Sequence, residues 1–153
     1  MKQVLEDAGE ELKRVEHLVY VSLKYTRTVD VLKNVLTRMT DAYQLMMEAL
    51  YLLQKDDEEV PDAPVRLGKE IQQLYEDKEW IVETVDKYLL LRKILRAPNP
   101  IREQEYRRHV AMKTFIDGRE EVFNIDLAMQ HFEHMKEFYQ KLRREFLDEE
   151  IHG

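Results

Sequence analysis

Residues 29–53, VDVLKNVLTRMTDAYQLMMEALYLL, decide the fold class. Leu32, Leu36, Met39, Tyr43, Met46, Leu50 and Leu53 recur in alternating steps of four and three, the spacing that keeps one face of an α-helix toward a partner. A second apolar row, Val35, Ala42 and Ala49, widens that face beyond what a lone pair of helices can cover. A helix starting near Val29 must therefore be enclosed by several others.

Reading outward, Thr26-Arg27-Thr28 offers hydroxyl caps and Asp30 suits the first turn of this helix. Before it, Leu5, Ala8, Leu12, Val15, Val19 and Ser22 predict a first helix over roughly 2–25. After it, an acidic stretch with Pro61 and Pro64 forms a loop over 56–64, and Pro64 can open a third helix running to about 96. Leu67, Ile71, Leu74, Ile81, Val85, Tyr88 or Leu89, and Leu95 mark its face, with Lys78 as the one polar interruption. Ala97-Pro98-Asn99-Pro100 ends it, because prolines lack the backbone donor and push their predecessors toward extended geometry. A short helical run, IREQEYRRHV, follows, and Asp117-Gly118 signals a small hairpin pairing 112–116 with 119–123. Asn124 caps a last helix with the stripe Ala128, Phe132, Met135, Tyr139, Leu142 and Phe146.

These elements predict an all-α class: a single domain over 1–153, built as an antiparallel four-helix bundle with long helices and, near 112–123, a small β-hairpin. The second and third helices exceed the common length, and an apolar overhang implies a homodimer. Charged residues make up 36% of the chain against a typical ~25%, a profile of solvated helices that resembles thermophile proteins.

The chain has no cysteine, which excludes disulfides, thiolate metal sites and cysteine nucleophiles. No apolar run approaches the ~18 residues of a membrane span, and the charged start is no leader, so the sequence reads as cytoplasmic. Phosphate-cradling glycine motifs are absent, and no cofactor is expected. His131, His134 and Glu137 share a helical row without the order that couples two metal ligands to a general base, so no metal is assigned.

Charge is uneven. The net charge is −7, and residues 55–62 hold five acids, yet residues 92–113 carry seven cations against two glutamates. Two polar-aromatic clusters stand out. One gathers Tyr20, Lys24, Tyr25, Arg27 and Thr28 at the first corner; the other gathers Arg102, Tyr106, Arg107, Arg108 and His109. Arginine and tyrosine together suit phosphate gripping and base stacking. In an up-down-up order both clusters fall at one end of the bundle, with loop 56–63 at the other.

Arg102 and His109, with six residues between them, match the R-x(4–6)-H signature, and the long helices around a dimer interface are also similar to the HEPN superfamily of all-helical domains. That resemblance implies a dimeric binding module for a nucleotide, RNA or protein partner, or else a metal-independent RNase. In the latter, Arg102 would be a phosphate-binding cation and His109 a general acid/base. Glu103 stands where the polar residue after the arginine is commonly Asn, Asp or His. The stretches LVYVSLKYTRTVDVLKNVL and EYRRHV also resemble those of a family of uncharacterised archaeal helical proteins. A purely structural oligomer without ligand is the third reading.

Overall fold

The computed structural model describes residues 1–55 and 59–147. Helix α1 (Lys2–His17) buries Leu5, Ala8, Leu12 and Val15, then continues through a π-helical turn (Leu18–Ser22) and one α turn to Tyr25. Helix α2 (Val29–Gln54) is the axis of the molecule. The hydroxyl of Thr28 accepts from the Val31 amide at 3.2 Å, satisfying one of the free donors of the first turn. Both apolar rows of α2 are buried, from Leu32 through Tyr51, against α1 and the helices that follow.

The expected four-helix bundle is not what forms. The third helix divides into α3 (Pro64–Leu74) and α4 (Glu79–Arg96), which fold back on each other. Tyr75 is the cause: its backbone leaves helical geometry and its ring turns inward, its hydroxyl donating to the Leu50 carbonyl at 2.6 Å while it packs edge-on against Phe146. A straight helix would forfeit that buried hydrogen bond and ring contact. The overhang from which a dimer is expected is thereby removed from this helix. The acidic loop expected at 56–63 includes residues 56–58, which lie outside the described residues.

The run 101–110 is not helical either. Ile101–Glu103 forms strand β1, which joins β2 (Ala111–Ile116) and β3 (Arg119–Asn124) in an antiparallel sheet ordered β1-β2-β3. Ile101 pairs with Lys113 and Met112 with Phe123. The hairpin is present one residue longer at each end than the sequence suggests, closed by Asp117 and Gly118 at φ 52° and 79°. Positive φ at both central residues defines the tight turn that matches strand twist. Helix α5 (Ile125–Leu142) follows, with Asn124 Oδ1 accepting from Leu127 N at 2.9 Å, and ends in a second π turn, Arg143–Leu147. The described residues are thus mostly α, with five helices and a three-stranded sheet.

Gly68 explains how α3 and α4 come so close. A Cβ there would meet Val85 Cγ1 at 3.1 Å and Leu89 Cδ2 at 3.4 Å. Gly68→Val should therefore destabilise the fold by about 1–3 kcal/mol through overpacking, although valine exceeds glycine in helix propensity. Chemical denaturation measures this; an unchanged midpoint would mean the two helices do not pack at Gly68.

Candidate functional site

The sequence places two basic-aromatic clusters at one end of the molecule, and contacts between them are present. Strand β1 holds Arg102 beside the start of α2, and the chain then reverses through Gln104 at φ 51° and Tyr106 at φ 66°. Each non-glycine residue in this left-handed region costs about 1 kcal/mol or more, so something must hold the turn.

Three contacts do. Glu105 Oε2 accepts from the Val29 amide at 3.0 Å, Tyr106 N donates to the Arg27 carbonyl at 2.6 Å, and Arg102 Nη2 donates to Asp30 Oδ1 at 2.9 Å. The other arm of Arg102 reaches Glu105 Oε1, also at 2.9 Å. A carboxylate on the first turn of α2 satisfies a free donor and favours the helix dipole. Its hydrogen bonds to Asp30 and then to Glu105 push the Arg102 guanidinium further above its already high ordinary pKa.

Arg102 is thus spent as a strut between two carboxylates. His109 is exposed in the turn closed by Val110 N to Arg107 O at 3.0 Å, with no side-chain partner among the described residues. The remaining carboxylate of the segment, Glu103, pairs with Lys113 at 3.0 Å. Lys24, Arg27, Arg107 and Arg108 have no carboxylate partner among the described residues. Tyr25 and Tyr106 are 77% and 78% exposed, and Lys24 Nζ sits 5.9 Å above the Tyr25 ring.

Tyr20 does not belong with them. Its hydroxyl donates to Glu133 Oε1 at 2.9 Å and its ring packs edge-on against Phe132.

The basic run 92–113 does not gather at one place. Arg92, Lys93 and Arg96 line a groove of about 880 Å³ with Lys69, Phe115 and Arg119, between α3, α4 and the hairpin, to which Arg102 and Arg107 do not contribute. Sequence periodicity gave no sign of this groove, because it arises only when α3 folds back on α4 and the hairpin packs beside them. Lys93 is paired there with Asp117 at 3.3 Å, and Arg92 lies over the Tyr88 ring.

His131 and His134 sit between α4 and α5. Thr84 donates its hydroxyl to the Trp80 carbonyl at 2.8 Å, so at 3.2 Å it accepts from His134 Nε2, leaving Nδ1 to face Lys87 Nζ at 3.5 Å. His131 stacks on Phe123. Among the described residues no group of three or more His, Asp or Glu could hold a metal ion.

Glu105→Ala, which uncaps Val29 and frees Arg102, should lower stability by about 1 kcal/mol, and Glu105→Gln, which can still accept from the amide, by less. Equal denaturation midpoints for Glu105→Ala and the unmodified chain would show that the staple bears no load. Burial first, then Lys87, lowers the pKa of both His131 and His134, while Glu137 partly opposes this at His134. The unfolded chain, with histidine near 6.5, therefore binds more protons than the folded one below that pH, and stability should fall as pH drops from about 7 to 5. His131→Gln with His134→Gln should flatten this slope; a slope unchanged in the double variant would place its origin elsewhere.

No family model matches the chain, and no curated protein or solved structure matches it.

Proposed function

We propose that this protein is a binding module that takes an anionic ligand, a nucleotide or RNA, at the pole formed by residues 24–27 and 104–109. The observation that carries this reading is the main-chain bond from Tyr106 to Arg27, which joins two segments bearing Lys24, Arg27, Arg107 and Arg108 without carboxylate partners among the described residues. The neighbouring acids Asp30, Glu103 and Glu105 are each engaged by Arg102 or Lys113. In a chain of net charge −7, a local excess of unneutralised cations is what attracts an anion, with salt weakening the attraction.

The RNase reading has less support, since Arg102 is held by Asp30 and Glu105 and His109 then stands without its phosphate-binding partner. A HEPN-like binding role accords with the pole.

The test compares the unmodified chain with the double variant Arg107→Glu, Arg108→Glu for binding of labelled short RNA and of mononucleotides at low and moderate salt. The unmodified chain should bind at low salt and weaken as salt rises, and the variant should bind at least about tenfold less tightly. Absence of binding by the unmodified chain at low salt would overturn the reading and leave the purely structural one.

A further inference from the structure

We infer that the pole recognises unpaired bases of a single-stranded nucleic acid, stacked on Tyr25 and Tyr106, and not phosphate alone. This rests on the anion-binding reading of the same pole and adds the class of ligand.

Tyr25 and Tyr106 are the two most exposed large hydrophobic side chains among the described residues; the next, Phe115, is 60% exposed. Both fall at this one pole. They are also close: Tyr106 is bonded main chain to main chain with Arg27, and Tyr25 lies two residues before it. Chain reach then puts the two Cα atoms within about 13 Å.

Stability does not account for either ring. Tyr106 occupies a left-handed backbone position, φ 66°, that glycine would take without strain. Its ring has no aromatic, cation or hydrogen-bond partner among the described residues. What tyrosine adds over glycine there is an outward aromatic face, and the Arg102–Glu105–Val29 staple holds the strained turn that presents it. Strain kept in place by dedicated contacts is a recurrent feature of ligand-binding loops. Tyr25 is similarly bare, with only the Lys24 ammonium over its ring among the described residues.

The chemistry of the surroundings selects the ligand. Arg27, Arg107, Arg108 and Lys24 can follow a phosphate backbone while the two rings stack on successive bases, the combination used for sequence-tolerant binding of single strands. A duplex hides its base faces against neighbouring pairs and would engage the cations only. Inorganic polyphosphate has no base at all.

The experiment titrates the full chain with a labelled single-stranded oligoadenylate, a duplex of equal length, and inorganic polyphosphate of matched charge, at one low salt concentration. The single strand should bind at least about tenfold more tightly than either competitor. Tyr106→Gly and Tyr25→Leu should each weaken single-strand binding about tenfold and leave polyphosphate binding unchanged, whereas Tyr106→Phe keeps it. Thermal unfolding of Tyr106→Gly should show no loss of stability, because glycine relieves the backbone strain. Polyphosphate or duplex binding as tight as the single strand, or tyrosine variants that bind normally, would overturn base stacking while leaving an anion-binding pole. Capture of a partner protein through Tyr25 and Tyr106, with oligoadenylate no tighter than polyphosphate, would also overturn it. If none of the three probes binds, the anion-binding reading itself fails.

Discussion

The structure depends on enclosing α2. From Val29 to Tyr51 this helix buries thirteen side chains around more than one face, including Leu32, Leu36, Met39, Tyr43, Met46 and Leu50. A stripe that wide cannot be covered by one neighbour, and leaving it in water would forfeit roughly 25 cal/mol for each Å² of apolar surface. Helix α1 lies along one side, and α3, α4 and α5 close the rest. The break in the third helix serves that enclosure. Tyr75 and Phe146 pack together against it, with the Tyr75 hydroxyl on the Leu50 carbonyl.

Enclosing a helix on its sides leaves its N-terminus to be satisfied separately, and this links the fold to the pole. Thr28 and Glu105 take the first amides of α2, one from within the corner and one from a turn 76 residues away. The distant cap anchors 104–106 on the corner and brings two sequence-separated segments into contact. The same arrangement explains which charges are free. Arg102 is consumed in holding Glu105 and Asp30, while the arginines after the turn project without carboxylate partners among the described residues. Cations paired with carboxylates and cations without such partners among the described residues are thus separated within one short segment.

The α4–α5 contact carries a different kind of constraint. Thr84, with its proton committed to the Trp80 carbonyl, selects the tautomer of His134, and Lys87 opposes charging of the ring. A neutral histidine locked between a hydroxyl and an ammonium is a structural group, whose ring nitrogens are both in use. Its helical spacing with His131 and Glu137 therefore does not translate into ligand geometry.

The sequence by itself determined the helices that begin at Val29 and Ile125 and the caps that start them, because periodicity and capping are local. Leu32 to Leu53 read as one face, Thr28 and Asn124 as caps, and Asp117-Gly118 as a tight turn, and each operates within a few residues of itself. The common end expected for Tyr25, Arg27 and 102–109 rested on an unbroken third helix that does not form; it is the Tyr106 to Arg27 main-chain bond that joins the two segments. Only the tertiary structure decided the rest. The break at Tyr75 depends on a carbonyl 25 residues away. The extended geometry of 101–103 depends on pairing with 111–113, which overrode a locally plausible helix. The role of Arg102 as a strut depends on Asp30, 72 residues earlier. These are long-range pairings whose free energy appears only once the partners meet, so no local pattern announces them.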